Sequence, residues 1–524
     1  MGGVLSRFTD AAAEVPEHYP RDAGGVRRWL DATLADTDPT VGGAVDGLAQ
    51  YELEALGSAL AVLVHSYRWD TMPPLDARFE DQHLDLPAGL ADAWRHTTTR
   101  LGQQPVGTVY LHSSNWSGRT AGLPPGASYD PRRIDLNDIT MSFGWLWGDA
   151  AADLEVFALS FVLLEGRAAT ALEGAVRLIE ACQRKDMVET AHALTMLGEG
   201  VDDMTSAFLG TIRASRIDPI RWLELVQPQA AWALGGNAGA SGLQLGSLRA
   251  VDAVLGVDGG GRVGQAYTQM RQFLLPHHRA FLDALDAAAP LVAASKPRWG
   301  RLAARRHDEC ARSLQRLRRA HRARGAQYLR ADQKGDSRRV SSGLETVYRD
   351  GDAAVVGFEA DMQERIDQVA LVMAGVGADE VGTPEAAFRF LDEDERLLLL
   401  ASATASTLQP GDLLVRAGDL PSRLWVVEDG VLAVLTATGE RVGRIWPGQV
   451  AGEMSLVDPR PASVSLTAEV ETQVLAVDHT AVLDLLAENA DLARRVYQSL
   501  AVAVADKLRA RDELVSELLA RVTE

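Results

Sequence analysis

The segment Arg298–Arg330 decides the fold of the first part of this chain, and its centre reads Leu314-Gln315-Arg316-Leu317-Arg318-Arg319-Ala320-His321-Arg322-Ala323-Arg324-Gly325-Ala326-Gln327-Tyr328. The segment contains eleven arginines, yet Leu314, Leu317, His321, Gly325 and Tyr328 recur at steps of three and four. Such steps place residues on one face of an α-helix. The pattern predicts a helix with a basic solvent face and an apolar inner face, and His321 lies in the middle of the inner face.

Two interpretations of His321 follow from this pattern. A single histidine on an apolar stripe is most often a core residue with satisfied ring nitrogens. Imidazole also binds haem iron through one ring nitrogen, and Gly325, one turn further on, would leave room beside a flat porphyrin. The helical spacing leaves both interpretations open.

The spacing of apolar residues along the chain changes near residue 380. Before that point the apolar residues follow helical spacing, and after residue 405 short alternating runs are separated by glycine turns. We predict a multidomain protein with an all-α domain at 1–372, a linker at 373–384 and a β-roll with flanking helices at 385–524. The strand candidates are Leu413–Val415, Leu424–Val427, Val431–Leu435 and Thr472–Val477, and helices are expected at about 357–375, 390–405 and 480–520.

Composition excludes several classes of function. The 524 residues carry a net charge of −20, which argues against a general nucleic-acid partner because phosphate contacts need basic surface. Cys182 and Cys310 are the only cysteines, which fits a reducing compartment. No apolar run reaches the length of a membrane span, and the N-terminus lacks a secretory signal pattern. We therefore expect a cytoplasmic protein with no membrane partner.

Several ordered blocks across roughly residues 50–350 resemble a known family. They are Leu101–Trp116, Ser142-Phe143 ahead of the helix that carries Phe157, Asn237–Gly242 followed by Val251–Gly256, and Met270–Leu282. Together they resemble the haem-dependent indoleamine 2,3-dioxygenase/tryptophan dioxygenase superfamily. The resemblance implies an all-α enzyme that binds haem (heme b) and adds O2 across the double bond of an indole-type small molecule.

The resemblance also implies roles for particular residues. His321 falls on the proximal iron ligand, while the chemistry itself takes place at the haem iron. Phe157, Trp222 and either Ser160 or Phe161 fall on the distal pocket, and ordinary core packing is the alternative for each aromatic side chain. The remaining positions are Asn237 and Ala238, whose backbone would face the haem edge, and Ser341-Ser342-Gly343, a loop that would close over substrate.

One position departs from the family pattern. The arginine that pairs with the substrate carboxylate falls on Gln227, and glutamine cannot form that bidentate, charge-assisted pair. The departure favours a modified indole or a tryptophan derivative as the substrate. The alternative is that the Arg221 side chain pairs with the substrate carboxylate in place of the missing arginine.

A second resemblance lies near the C-terminus. The run Gly452-Glu453-Met454-Ser455-Leu456, followed by Pro459-Arg460-Pro461-Ala462-Ser463-Val464, resembles the phosphate-binding cassette of cyclic-nucleotide-binding domains. The resemblance implies that Glu453 accepts from a ribose hydroxyl and that an arginine nine residues later pairs with the cyclic phosphate. That ninth position is Ala462.

Two explanations remain for the missing arginine. Either Arg460 compensates, or the domain has lost cyclic nucleotides and serves for homodimerisation or partner docking. The second is favoured, because a lost charge-assisted pair on a desolvated phosphate costs several kcal/mol. The leading expectation for the whole chain is a haem dioxygenase, and the alternatives are a non-catalytic haem sensor and an assembly protein.

Overall fold

The computed structural model divides the chain into two compact units, Met1–Val376 and Gly377–Glu524. The division falls inside the stretch 373–384 that the sequence predicts as a linker. The structure describes residues 3–19, 25–70, 85–104, 114–119, 130–228, 242, 245–257, 259–331, 338–339, 347–348, 351–373 and 388–522. The predicted site residues Asn237, Ala238, Ser341, Ser342 and Gly343 lie outside the described residues.

The N-terminal unit is mostly helical. Its helices are α1 (Ser6–His18), α2 (Gly25–Thr33), α3 (Gln50–Trp69), α4 (Ala88–Arg100), α5 (Asp149–Arg167), α6 (Ala169–Arg184), α7 (Met187–Thr211), α8 (Gly246–Leu255), α9 (Gly261–Met270), α10 (Pro276–Ser295), α11 (Arg301–Leu329) and α12 (Gly351–Ala370). Two short antiparallel pairs accompany them, β1 (Trp116–Gly118) with β2 (Ile139–Met141) and β3 (Arg338–Arg339) with β4 (Val347–Tyr348).

Helices α6, α7, α11 and α12 form the centre of this unit. Helix α7 packs against α6 on one side and α11 on another, and α12 packs on α11. Gly200 allows the close approach of α7 to α6, since a Cβ there would lie 2.2 Å from the backbone nitrogen of Ala171. Helix α11, predicted from its apolar stripe, is therefore a central helix of the unit.

The arginines of α11 do not form the basic solvent face that the sequence predicts. Arg316 pairs with Asp202 of α7 at 3.0 Å, and Arg330 pairs with Glu359 of α12 at 3.1 Å. The prediction is wrong because helical periodicity separates apolar from charged positions but does not reveal acidic partners on neighbouring helices. Arg318 and Arg322 likewise contact α8 and α12, whereas Arg305 and Arg306 pair with Glu309 of the same helix.

The most buried of these contacts is a cluster of three charges. The Asp252 carboxylate of α8 is fully buried and accepts from Arg318 of α11 and, at 2.5 Å, from Arg365 of α12. The Arg365 guanidinium also lies over the Tyr267 ring, 5.6 Å from its centroid. A buried charge is tolerated only when it is paired and hydrogen-bonded. This cluster therefore fixes how three helices are oriented about one carboxylate.

We predict that Asp252→Asn lowers the free energy of unfolding of the N-terminal unit by about 3–5 kcal/mol, because it leaves two buried guanidinium groups without a counter-charge. Glu359→Gln is the matched control, since it removes a half-exposed pair between α11 and α12 and should cost less than about 1 kcal/mol. Urea denaturation followed by circular dichroism measures both. Equal losses in the two variants would contradict the assignment.

The C-terminal unit is a roll of two antiparallel sheets with helices before and after it. One sheet has the order β10-β7-β12-β5 and the other β6-β11-β8-β9. The strands are β5 (Thr404–Leu408), β6 (Leu413–Val415), β7 (Arg423–Asp429), β8 (Leu432–Leu435), β9 (Arg441–Ile445), β10 (Val450–Ala451), β11 (Ser465–Ala468) and β12 (Thr472–Asp478). The helices are α13 (Glu393–Leu400), α14 (Glu453–Val457), α15 (His479–Glu488) and α16 (Ala490–Val522).

All four predicted strand runs are present, as β6, β7, β8 and β12. The sequence did not predict β5, β9, β10 and β11. Strand β5 is almost wholly exposed, and β9 is exposed over its first half, so neither carries the apolar alternation that marks a strand. The predicted helix at about 390–405 ends at Leu400, because the chain from Thr404 pairs with β12.

Candidate functional site

His321 lies on α11 between two aromatic rings. Phe208 of α7 meets it edge-on with ring centroids 5.8 Å apart, and Phe358 of α12 meets it edge-on at 5.6 Å. Both phenylalanines are buried. The imidazole is thus held by apolar contacts from the two helices that pack on α11.

The electrostatic state of His321 suits a metal ligand. Burial by the surrounding protein lowers the pKa of His321 to about 4, so the ring is neutral near pH 7. The side chain is nevertheless exposed, and among the described residues no hydrogen-bond partner of its ring nitrogens is found. Neutral imidazole with an available nitrogen is the form that binds iron.

Gly325 does not provide the room that the sequence suggested. A Cβ at Gly325 would lie 2.3 Å from Cζ of Phe358, so the phenylalanine ring occupies the notch that the glycine leaves. The glycine lets α12 approach α11 closely and places Phe358 beside His321. Any flat group at His321 would have to lie on another side of the imidazole.

Within the part of the chain that the structure describes, no group of three or more histidine, cysteine, aspartate or glutamate side chains could hold a metal ion. A single histidine can still hold an iron whose other ligands come from a bound group. In that arrangement a macrocycle supplies the other ligands of the iron.

Four aromatic side chains form a second cluster further along α11. Trp222 meets Tyr328 edge-on at 5.3 Å and Phe157 at 5.8 Å, and Phe157 meets Phe161 at 5.4 Å. Phe157, Phe161 and Trp222 are only half-buried, whereas Tyr328 is buried and its hydroxyl donates to the Ile217 carbonyl. The structure thus brings together the predicted pocket aromatics, about 10 Å along α11 from His321 because Tyr328 lies seven residues beyond it.

Ser160 and Phe161 take different positions on α5. The Ser160 hydroxyl is buried and donates to the Phe157 carbonyl at 2.6 Å. Phe161 lies on the same stripe of the helix as Phe157 and reaches to within 3.8 Å of the position that a Cβ on Gly242 would take. Of the two candidates, Phe161 faces the aromatic cluster.

The segment from Arg221 to Gln227 is unusual in its backbone. Residues Trp222–Val226 form a π-helix. This conformation is rare in proteins, and where it occurs it is often part of a functional site. Gln227, which follows it, is buried. Arg221 donates to the buried Asp153 carboxylate at 2.7 Å. Arg221 is therefore engaged with Asp153 and does not substitute for the arginine that the resemblance expects at position 227.

Glu165 is a functional candidate that the sequence did not reveal. It lies eight residues after Phe157 and four after Phe161, on the same stripe of α5. Its carboxylate accepts from the Ser247 backbone at 3.2 Å and from the Ser247 hydroxyl at 2.9 Å. Burial raises the pKa of Glu165 despite these bonds. The carboxylate holds the first turn of α8 from a distant helix, and no local motif marks such a contact.

The raised pKa of Glu165 gives a pH-dependent prediction. When the pKa of a carboxyl group is higher in the folded protein than in the unfolded chain, the group stabilises the fold fully at pH values below the unfolded-state pKa. This stabilisation is lost as the pH rises through the folded-state pKa. Glu165→Gln keeps an oxygen acceptor and cannot ionise, so the variant should gain stability relative to wild type as pH rises from 5 to 8. Urea denaturation across this range measures the difference. A difference that stays constant with pH would contradict the prediction.

The cassette of the C-terminal unit is built around Gly452. Its φ is +85°, and a Cβ there would lie 2.3 Å from the Arg423 carbonyl oxygen and 3.1 Å from the Trp425 ring. Helix α14 begins directly after it with Glu453, whose side chain is buried, as is that of Ser455, whereas Met454 is exposed. The glycine is required because only a residue without a Cβ allows the cassette to lie against β7.

Neither of the two candidate positions, 460 and 462, places a cation where it could bind a phosphate inside the roll. Ala462 packs against the apolar interior of the roll, and its backbone exchanges two 2.7 Å hydrogen bonds with Gly418 and Asp419. Arg460 is exposed and pairs with Asp458 at 2.8 Å, and Ser463 is exposed. No cation from these two positions reaches the interior of the roll.

A roll of two antiparallel sheets, a helix that starts after a left-handed glycine and two closing helices define the class of this unit. Residues 405–489 match the family model of the cyclic nucleotide-binding domain. The C-terminal unit is therefore a cyclic nucleotide-binding domain in fold. The match to the family model covers residues 405–489 and no more of the chain.

Curated relatives agree with the domain assignment. The chain is 32% identical over 113 residues to potassium/sodium hyperpolarization-activated cyclic nucleotide-gated channel 3 of Mus musculus, which is 21% of this chain and 14% of that protein. The Homo sapiens channel of the same name is 31% identical over 106 residues, 20% of this chain and 13% of that protein. The chain thus spans only a small part of these relatives. Among the described residues, no helix combines the length and the apolar character that a membrane crossing needs.

Proposed function

We propose that this protein is a regulatory protein whose C-terminal cyclic nucleotide-binding domain binds a ligand or docks a partner. The match of residues 405–489 to the domain model carries the proposal. The cassette supports it, since Gly452 has the left-handed backbone that places α14 against β7. In this proposal the N-terminal unit supplies a second input, the binding of haem through His321.

His321 supports the haem assignment through three properties. Its ring is neutral near pH 7, its side chain is accessible, and Phe208 and Phe358 contact the ring edge-on. These residues fit an iron ligand, because a neutral imidazole nitrogen beside apolar rings binds haem iron. Bound haem would supply the capacity to bind a diatomic gas or to carry an electron.

We predict that His321→Ala abolishes the Soret band that the purified wild-type protein shows after reconstitution with hemin, because the axial nitrogen is lost. His192→Ala is the control: His192 lies on the surface of α7, 3.6 Å from Glu189, and its loss should leave the band unchanged. Absorbance titration with hemin measures both variants. A Soret band of equal position and strength in His321→Ala would rule out this ligand.

A haem-dependent dioxygenase is the second candidate function, and the aromatic cluster favours it. Phe157, Phe161 and Trp222 offer half-exposed ring surface, which suits a planar indole. The buried Gln227 contributes a neutral amide in place of a cation, and Arg221 is committed to Asp153. These residues would bind and orient an indole or a tryptophan derivative, while haem would supply the oxygen chemistry.

The dioxygenase candidate predicts a change of preference in one variant. Gln227→Arg should raise kcat/KM for L-tryptophan relative to indole by about tenfold or more in haem-loaded protein, because arginine pairs with the substrate carboxylate. Gln227→Met, of similar size and neutral, is the control and should leave the ratio near that of wild type. Formation of an N-formylkynurenine-type absorbance is the measurement. No product from any indole with wild-type protein would leave the regulatory function as the better account.

A further inference from the structure

Helix α16 has an apolar face that is buried within the C-terminal unit. Leu492, Val496 and Leu500 recur at four-residue steps and are at most 1% exposed. They belong to a core cluster that also contains Val482 and Leu486 of α15. This face attaches α16 to its own unit, and it accounts for the beginning of a helix that continues well beyond it.

A second apolar stripe runs along another side of α16. Tyr497 is 41% exposed and Leu508 is 54% exposed, and between them Ala501 is exposed and Val504 is half-buried. At 3.6 residues per turn, this stripe is turned by roughly 110° about the helix axis from the buried face. An apolar stripe on a helix normally packs against another element. Within the described part of the C-terminal unit, these side chains remain accessible.

The stripe continues along α16 at alternating steps of four and three residues. Its eight positions are Tyr497, Ala501, Val504, Leu508, Arg511, Val515, Leu518 and Val522. All of them except Arg511 carry an apolar or aromatic side chain. Alternating steps of four and three are the a and d positions of a heptad repeat, which pack against the same positions of another helix in a coiled coil. The pattern extends over about four heptads, the length at which it indicates a coiled coil.

The residues that flank the stripe indicate which helix it meets. With Leu508 at an a position, Lys507 takes a g position and Asp512 takes the following e position. In a parallel pair of identical helices, each g position lies beside the following e position of the other helix, so Lys507 would meet Asp512 of the second copy. The next g and e pair, Leu514 and Leu519, is apolar. Charge complementarity therefore fits a parallel pair.

An antiparallel pair lacks this complementarity. In that arrangement g positions lie beside g positions, and e positions lie beside e positions. The g positions of the stretch are Leu500, Lys507, Leu514 and Arg521, and the e positions are Gln498, Ala505, Asp512 and Leu519. Neither set contains charges of opposite sign, so every antiparallel register leaves both Lys507 and Asp512 without a counter-charge.

We propose that α16 pairs with α16 of a second copy of this chain through this stripe, as a parallel two-stranded coiled coil. The proposal rests on the proposed function in one respect, since it gives the docking role of the C-terminal unit a partner. The pairing needs neither haem nor cyclic nucleotide. Arg511 limits its strength, because a polar residue in the seam of a coiled coil restricts the register at a cost in stability.

Sedimentation equilibrium of the full-length protein over a range of concentrations tests the pairing. We expect a monomer–dimer equilibrium for the wild-type protein. Leu508→Glu should raise the dimer dissociation constant by about 100-fold or more, because it removes apolar contacts and places two carboxylates side by side in the seam. Val442→Glu is the matched control. Val442 is 46% exposed on β9, outside the stripe, and its replacement should leave the constant within about threefold of wild type.

Arg511→Leu should act in the opposite direction. Replacing two facing guanidinium groups by apolar contacts should lower the dissociation constant by about tenfold or more. A pair of variants that shift the constant in opposite directions distinguishes a specific seam from loss of the fold, which would weaken association in both.

Cross-linking measures the orientation of the two helices. Leu518→Cys places a thiol at a d position that faces its own counterpart in a parallel pair, so oxidation with diamide should join the two copies by a disulfide. An antiparallel pair separates the two thiols along the helices and gives no such product. The native cysteines, Cys182 and Cys310, are both buried, and the wild-type protein under the same oxidation is the control.

Three results would overturn the proposal. Wild-type protein that stays monomeric over the whole concentration range would exclude the second copy as the partner. Equal effects of Leu508→Glu and Val442→Glu would place the contact outside the stripe, and a dimer without a cross-link at position 518 would exclude the parallel arrangement. A monomer that still binds cAMP would refute the pairing and leave the ligand-binding role of the proposed function in place, so the two failures are distinguishable.

Discussion

The pairing of one buried carboxylate, Asp252, with Arg318 and Arg365 is the constraint on which the N-terminal unit depends. A fully buried charge in a medium of low dielectric must meet its counter-charges in good geometry. That requirement fixes the rotation of α11, since Arg318 also donates to the Arg365 backbone carbonyl at 2.6 Å. Once Arg318 faces α8 and α12, the positions of the residues that follow it on α11 are determined by helical geometry.

His321 takes its properties from this arrangement. It follows Arg318 by three residues and meets Phe358, which α12 can bring close because Gly325 has no side chain. The same rotation directs Tyr328 toward Trp222. The candidate iron ligand and the aromatic cluster are thus two parts of one helix face, and the ion cluster one turn before His321 holds that face in place.

The two units share a chemical feature at their candidate sites. In the N-terminal unit the resemblance expects a cation at the position of Gln227, which is buried, and Arg221 is held by Asp153. In the C-terminal unit Ala462 stands where a cation would pair with a phosphate. In each case a neutral residue occupies the position at which the resemblance expects a cation.

The sequence revealed the elements whose pattern is local and strong. Helix α11 was predicted at nearly its observed length, and β6, β7, β8 and β12 carry the apolar runs of buried strands. The exposed strand β5 and the half-exposed β9 were missed, because solvent on one side removes the apolar alternation. The π-helix at Trp222–Val226 was also beyond prediction, since its sequence spacing does not differ from that of an α-helix.

By itself the sequence determined the division into a helical part and a roll, the stripe that carries His321, and the neutral residues Gln227 and Ala462. The tertiary structure alone decided the ionisation state of His321, the commitment of Arg221 to Asp153, the role of Glu165 and the direction of Arg460. Each of these depends on partners that are distant in the chain, as with Arg318 and Asp252, which are 66 residues apart. Local periodicity assigns a residue to a face of its own helix, but the charge or ring that meets it comes from another element.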